Sequence, residues 1–145
     1  MGSIVLDASV VVPLMVSHPF SQVAERCFRY WKREYYQILS LCFMPVEVVS
    51  ALRQAVYGRK LNPQQALQAV EILMAMGIEL IMPGGELHQS ALRWAERLGQ
   101  SKAYDAQYVA LAEKYGAELW SADQRLVNAL QAQGATWAHW IGEVS

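Results

Sequence analysis

The chain has 145 residues, 54% of them hydrophobic, and a formal net charge of -1 at pH 7. This length suits a single domain with one buried core, which we expect to cover residues 1–145. The nearly balanced charge excludes a general electrostatic attraction to nucleic acid or anionic membrane, so a polyanionic partner would have to be held by a local patch or a metal ion.

Neither the cysteines nor the apolar segments indicate an exported or membrane protein. Cys27 and Cys42 form no close pair and no metal-type spacing, and no basic segment precedes the first apolar run. Asp7 interrupts the longest apolar stretch before it reaches the length of a membrane span. We therefore expect a soluble cytoplasmic protein with no membrane partner.

Apolar runs and helical segments alternate along the chain. Runs without polar alternation predict strands buried on both faces over residues 4–6, 38–42, 78–82 and 118–120. Helical apolar spacing, with start and stop signals such as Asn62–Pro63 and Gly116, predicts helices over residues 21–36, 44–57, 62–76, 85–99, 102–116 and 123–134. This alternation predicts an α/β protein with a mainly parallel central sheet.

Two acids follow predicted strands. Asp7 comes directly after the first strand, and Asp123 comes shortly after the "AELWSA" strand. Because the carboxyl ends of parallel strands meet at one edge of a sheet, where α/β folds place their sites, we expect both carboxylates at that edge.

Helical geometry places two further acids near the same edge. Glu47 lies in the first turn of the helix that follows the second strand. Asp105 lies in the first turn of the helix that ends at Gly116, where it falls on the side of Tyr108 and Val109. With about 100° of rotation per residue, we expect Asp105 to face inward. The sequence thus predicts that four carboxylates converge.

Each acid taken alone also has an ordinary structural interpretation. Asp7 and Asp123 could be helix N-caps, and Glu47 could be an exposed residue favoured by the helix dipole. Asp105 could be a structural acid with a compensating partner. Four independent structural acids would have no reason to share one edge, which favours a common site.

A cluster of carboxylates needs a positive partner. Two like charges about 4 Å apart repel by roughly 4 kcal/mol at an effective dielectric constant of about 20. Arg125 is the basic residue nearest to Asp123 in the chain, and none adjoins the other three acids. Oxygen ligands without His or Cys favour Mg²⁺ or Mn²⁺. Such an ion activates water and neutralises phosphate charge, so the pattern predicts phosphodiester hydrolysis.

Four segments together resemble the PIN-domain family, and most closely the VapC-type toxins of bacterial toxin–antitoxin pairs. They are "IVLDASVVV", "PVEVVSALR", "YDAQYVALAEKYGAEL" and "SADQRL". The resemblance covers nearly the whole chain. It implies a three-layer α/β/α sandwich with strand order 3-2-1-4-5 and a Mg²⁺-dependent (or Mn²⁺-dependent) endoribonuclease that is the toxin of a type II pair. It further implies an RNA substrate, a small antitoxin protein as partner, and a homodimer.

The resemblance also implies catalytic roles for the four acids. Asp7 and Asp105 match the principal metal ligands of the family, and Asp123 matches the acid after the fourth strand, which also contributes to the metal site. Glu47 matches a helical acid that acts through water.

Two serines match small hydroxyl residues of the family. Ser9 and Ser121 resemble groups that orient an acid or a substrate phosphate, although an ordinary turn or cap role is equally open for both. At Gln124 and Arg125 this chain lacks an additional acid that some relatives carry, which leaves the number of metal ions open.

Other functions stay open as alternatives. The chain could be a PIN-like binding module with little nuclease activity. A receiver-like phosphoacceptor would need a second acid beside Asp7, and a haloacid-type phosphatase would need an Asp at the position of Ser9, so both are disfavoured. The basic and aromatic stretch from Arg26 to Tyr36 could grip RNA, but a solvated face over a buried aromatic stripe is the preferred interpretation.

Overall fold

Short strands alternate with helices through residues 2–144, the part of the chain that the computed structural model describes. In chain order the elements are β1 (Ser3–Leu6), α1 (Ala8–Met15), α2 (Ser21–Arg33), β2 (Gln37–Leu41), α3 (Met44–Tyr57), α4 (Pro63–Met74), β3 (Glu79–Ile81), α5 (Gly85–Leu98), α6 (Tyr104–Tyr115), β4 (Glu118–Ser121), α7 (Gln124–Ala132) and β5 (Ala138–Trp140), followed by a 3₁₀ turn at Ile141–Glu143.

The five strands form one parallel sheet in the order β3-β2-β1-β4-β5. In the central strand, Ile4, Val5 and Leu6 are fully buried, as expected of a strand covered on both faces. Register is continuous across the centre, since Val5 pairs with Leu39 of β2 and with Leu119 of β4. The predicted parallel sheet and its strand order are confirmed.

Two groups of helices cover the sheet. Helix α1 packs on α2 and α3, and α3 packs on α4, whereas α5 packs on α6 and α6 contacts β1, β2 and β4. Right-handed crossovers that run one way from β1 to β3 and the other way from β3 to β5 place these groups on opposite faces. The predicted three-layer α/β/α sandwich is therefore confirmed.

Local signals account for the helix ends. Asn62 caps α4 by accepting from the backbone N–H of Gln65, and Pro63 occupies the first helical position. Gly116 ends α6 in the left-handed region at a φ of 59°, as predicted for a C-terminal glycine. Helix α2 ends at Arg33, earlier than predicted, because Tyr35 adopts a φ of 60° that a helix cannot contain.

Two elements fall outside the sequence prediction. Helix α1 contains Pro13 after a run of valines, and this composition does not predict a helix. Strand β5 has three residues, of which Ala138 alone is fully buried. Within residues 2–144, none of the helices combines the length and hydropathy that crossing a membrane requires.

Candidate active site

The order of the strands creates a crevice at the carboxyl edge of the sheet. The chain leaves β1 toward β2 on one side, and β4 lies against the other side of β1. The connections that follow β1 and β4 therefore run to opposite sides, and a crevice opens between them at the carboxyl ends of these two strands. Asp7 follows β1 directly and Asp123 follows β4 after one intervening residue, so both acids lie at this crevice.

Asp7 is buried, with 8% of its surface exposed, and its carboxylate accepts three hydrogen bonds. Oδ1 accepts from the backbone N–H of Ser9 at 3.0 Å and from the Ser9 hydroxyl. Oδ2 accepts from the Ser121 hydroxyl at 2.6 Å. Asp7 is thus the N-cap of α1, as one of the two interpretations held. Since a carboxylate offers about four acceptor positions, one position on Oδ2 is left for another ligand.

The two serines join the turns that follow β1 and β4. The Ser9 hydroxyl accepts from the backbone N–H of Ala122 at 2.8 Å. The Ser121 hydroxyl, which is fully buried, accepts from the backbone N–H of Asp123 at 3.1 Å. Both serines donate to Asp7, and both accept from backbone N–H groups of the turn after β4. Together they fix the position of Asp7 relative to Asp123.

Replacing Ser121 by Ala is expected to destabilise the protein by about 1–3 kcal/mol, because Asp7 Oδ2 and the backbone N–H of Asp123 both lose a partner. Loss of this hydrogen bond also raises the pKa of Asp7, since the Ser121 hydroxyl favours the charged carboxylate. Urea unfolding at pH 7 measures the change. Ser50→Ala, on an exposed position of α3, is the matched control. Equal stability of the two variants would contradict this account.

Asp105 lies at the start of α6 and is exposed, so the expectation that it faces inward is wrong. Helix α6 precedes β4 and runs opposite to it, which puts the first turn of α6 at the carboxyl edge, beyond the part that covers the sheet. The buried face of α6 begins at Ala106 and Tyr108. Asp105 consequently borders the crevice rather than the core.

The charges of Asp7, Asp105 and Asp123 affect one another. Burial raises the pKa of Asp7 from 3.8 to about 6, and the negative charge of Asp105 contributes to the rise. Partial burial raises the pKa of Asp105, and the charge of Asp123 raises it further. Asp123 itself is exposed and caps α7 by accepting from the backbone N–H of Leu126 at 3.2 Å. The structure therefore brings these three acids together.

Glu47 joins the group through Tyr108. It lies in the first turn of α3, which begins at the carboxyl edge because it follows β2. The buried Tyr108 hydroxyl donates to Glu47 Oε1 at 2.8 Å. Burial, the bond to Glu47 and the nearby charges of Asp7 and Asp105 hold the pKa of Tyr108 far above its ordinary value, so this hydroxyl stays a donor. Tyr108 was not recognised as a site residue in the sequence, where it reads as part of an apolar helix face.

No Lys, Arg or His side chain forms an ion pair with these acids in the described part of the chain. The ion pairs among residues 2–144 are Arg29 with Glu25 at 3.9 Å and His139 with Glu143 at 3.7 Å. Arg125, the basic residue closest to Asp123 in sequence, is exposed and forms no ion pair there. The acids thus carry an uncompensated negative charge at one edge of the sheet.

These residues fit a hard divalent cation that is only partly enclosed by protein. Asp7 retains an acceptor position, and the neighbouring donors are carboxylates and hydroxyls. Within residues 2–144, no three Asp, Glu, His or Cys side chains are arranged to hold a metal ion by themselves. An ion held here would therefore keep several of its waters, as Mg²⁺ bound through one or two carboxylates does.

Mg²⁺ or Mn²⁺ is therefore expected to raise the melting temperature of the wild-type protein. At a concentration about 100-fold above Kd, binding adds about 2.7 kcal/mol to the free energy of unfolding. This corresponds to a rise in melting temperature of roughly 5–10 °C for a domain of this size. Thermal unfolding with EDTA or metal measures the shift. It should be much smaller for Asp105→Asn and unchanged for Glu71→Gln, which removes an exposed acid of α4. Equal shifts in all three proteins would place the cation elsewhere.

The basic and aromatic stretch of α2 does not reach this edge. Helix α2 leads into β2, so its C-terminal end lies at the amino edge of the sheet, and the ring of Tyr36 there lies close to Gly2. Trp31 is buried while Tyr30 and Tyr35 are exposed, in agreement with a solvated face over a partly buried aromatic stripe. Lys102 is the basic residue that lines this edge together with Glu47, and no sequence pattern pointed to it.

A parallel α/β domain whose carboxyl edge gathers acids that form no ion pair is a candidate metal-dependent hydrolase. The sequence model of the PIN domain matches residues 4–129, and the chain belongs to the PIN-domain family. Family membership removes the receiver-like and haloacid-type alternatives. Among curated proteins, none shows significant sequence similarity to the chain.

Solved structures share this fold at low sequence identity. A protein of Pyrobaculum aerophilum superposes with a TM-score of 0.71 at 19% identity, covering 99% of this chain and 86% of its own. VapC20 of Mycobacterium tuberculosis, a toxin that cleaves the sarcin-ricin loop, gives a TM-score of 0.60 at 17% identity and covers 83% and 88%. VapBC-1 of nontypeable Haemophilus influenzae superposes with a TM-score of 0.64 at 18% identity, and the match covers 96% of this chain and 98% of that one. At these identities the likeness concerns the fold.

Proposed function

We propose that the protein is a divalent-metal-dependent endoribonuclease and acts as the toxin of a type II toxin–antitoxin pair. The observation that supports this most is a group of acids at one edge of the sheet that have no ion-pair partner among the described residues: Asp7, Glu47, Asp105 and Asp123. The toxin assignment draws on the structural neighbours, among them VapC20, a sarcin-ricin loop cleaving toxin, and a toxin–antitoxin complex from Klebsiella pneumoniae. A small antitoxin protein is a proposed partner on the same grounds, and a second copy of the chain is proposed from the resemblance to the VapC-type toxins alone.

Mg²⁺ or Mn²⁺, when bound, supplies a water nucleophile at neutral pH and neutralises charge on the scissile phosphate. Asp7, Asp105 and Asp123 are the proposed ligands of this ion, and because no three described side chains are arranged to hold it by themselves, some of them would bind through its water molecules. Ser9 and Ser121 position the Asp7 carboxylate, because both hydroxyls donate to it.

Glu47 is the proposed acceptor of the proton that the attacking water gives up. Tyr108 donates to Oε1, which fixes the carboxylate in the crevice, and no described residue donates to Oε2. A carboxylate held at one oxygen and free at the other can accept a proton without reorienting, as general base catalysis requires.

Cleavage of a mixed panel of single-stranded and structured RNAs by the purified protein tests the proposal. Cutting is expected with Mg²⁺ or Mn²⁺ and not with EDTA, and hydrolysis by water should leave no cyclic phosphate at the new ends. Cutting that persists in EDTA would contradict it. Absence of cutting across the panel, together with a metal-dependent rise in melting temperature, would favour the binding-module alternative.

A further inference from the structure

An open cavity of about 530 Å³ lies next to the candidate active site, between the start of α3 and the loop that leads into α6. Its walls include Phe43, Val46, Glu47, Lys102 and Tyr104. The volume lies in the range of cavities that take small organic ligands, roughly 300–1,000 Å³. Glu47 belongs both to this cavity and to the group of acids. A ligand bound in the cavity would therefore lie beside the reacting phosphate.

One wall of the cavity is a large exposed aromatic surface. Tyr104 immediately precedes Asp105 and exposes 69% of its surface, and Val46 on the opposite helix also exposes 69%. Phe43, by contrast, is held in place, because its ring packs edge-on against Tyr108 at 5.7 Å between centroids. An exposed aromatic ring above an apolar floor is the usual platform on which nucleic-acid-binding proteins stack single bases.

The cavity also contains an unpaired positive charge. Lys102 is exposed and takes part in neither of the ion pairs found in residues 2–144. Glu47 on the same cavity disfavours a phosphate on its own side unless a cation is bound there. A ligand that fits must therefore present a flat apolar face to Tyr104 and a negative charge to Lys102, and a nucleotide presents both within its own length.

We propose that this cavity binds the nucleotide next to the scissile phosphate of an RNA, with its base stacked on Tyr104 and a backbone phosphate at Lys102. The inference rests on the proposed nuclease function and adds to it the residues that hold the base and the phosphate beside the cut. A base can reach Tyr104 only if it leaves its helical stack, so the site selects single-stranded or looped RNA over duplex RNA.

Binding of single-stranded RNA that contains 2-aminopurine, a base whose fluorescence falls on stacking, tests the proposal. It is measured with Ca²⁺, which takes oxygen ligands and neutralises the acids, and a gel checks that the RNA stays intact. Tyr104→Ala is expected to weaken binding by roughly 5- to 100-fold and to abolish the quenching, as loss of one stacked base does. Tyr104→Phe keeps the ring and should bind like the wild type. Tyr57→Ala, which removes another highly exposed tyrosine at the far end of α3, is the matched control.

Lys102→Gln tests the phosphate contact separately. Removing one phosphate contact should lower the slope of log affinity against log salt concentration by about 0.7, the contribution of one contact to single-stranded nucleic acid. Wild-type binding by Tyr104→Ala, or equal losses for Tyr104→Ala and Tyr57→Ala, would overturn the proposal and leave the cavity to a protein partner. Because Tyr104 and Lys102 are exposed, folding of the variants is checked simply by thermal unfolding.

Cleavage assays separate failure of this inference from failure of the proposed function. If the wild type cuts RNA with metal and Tyr104→Ala cuts it with the same KM, the nuclease function stands and the base site is wrong. If the wild type never cuts RNA but binds it through Tyr104, the base site stands and the nuclease function is wrong. A raised KM in Tyr104→Ala, restored in Tyr104→Phe, supports both.

Discussion

Asp7→Asn is expected to make the metal-free protein more stable at pH 8, by up to about 3 kcal/mol. Burial raises the pKa of Asp7 from 3.8 to about 6, so the folded protein binds this proton more tightly than the unfolded chain does. As the pH rises through this window, the unfolded state loses the proton first, and the free energy of unfolding falls until the pH exceeds the folded pKa. Above that pH the full penalty is present, and a neutral side chain removes it.

Asn can take the place of the Asp7 carboxylate and keep most of its hydrogen bonds, since the Ser121 proton can turn to the Ser9 hydroxyl 3.3 Å away. Its Oδ1 keeps the hydrogen bonds from Ser9, and its amide can donate to the Ser121 hydroxyl, which can accept as well as donate. Urea unfolding in EDTA from pH 4 to pH 8 measures the effect. The wild type should lose stability relative to Asp7→Asn as the pH rises. A variant that is less stable than the wild type at every pH would show that Asp7 is a structural acid.

Asp105→Asn is expected to reduce metal-dependent cleavage of RNA by at least about 100-fold, more than the loss of a group that only orients a metal ligand. Asp105 is exposed at the crevice. The charge of Asp123 raises the pKa of Asp105, and the charge of Asp105 in turn raises the pKa of Asp7. Removing it takes away a proposed ligand and part of the negative potential that attracts the ion. Initial cleavage rates at saturating Mn²⁺ measure the loss.

Glu71→Gln provides the control for charge alone, because Glu71 is an exposed acid on α4. It should cleave at the wild-type rate. If Asp105→Asn also retains the wild-type rate, Asp105 is not part of the site. Because Asp105 packs against little of the core, the melting temperature of the metal-free variant should stay near that of the wild type, which separates lost chemistry from lost folding.

The sheet was predictable from sequence because its central strands are nearly uninterrupted apolar runs. Ile4–Leu6 and the run around Leu39 carry no polar alternation, which is the pattern of parallel strands buried on both faces. The positions of Asp7, Glu47 and Asp123 then followed from where strands end and helices begin. Strand β5 was missed because three residues at a sheet edge are too few to show a pattern.

The local surroundings of the acids were less predictable. Helical periodicity puts Asp105 on the side of Tyr108 and Val109, but it does not indicate how far the first turn of α6 projects beyond the sheet. The contact between Tyr108 and Glu47 joins residues 61 positions apart, and no local pattern reports such a pair. Lys102 lies on a loop, where the spacing of residues in the sequence does not indicate which way a side chain points.

The most direct test of the central claim follows Mn²⁺ occupancy and RNA cleavage in the same titration of the wild-type protein. The electron paramagnetic resonance signal of free Mn²⁺ reports how much of the ion is bound while the cleavage rate is measured. The account predicts that the rate rises in step with occupancy, is absent in EDTA, and that Asp105→Asn shows neither at the same Mn²⁺ concentrations. Cleavage that is independent of occupancy, or equal binding and cleavage by Asp105→Asn, would contradict the claim that these acids form a metal-dependent nuclease site.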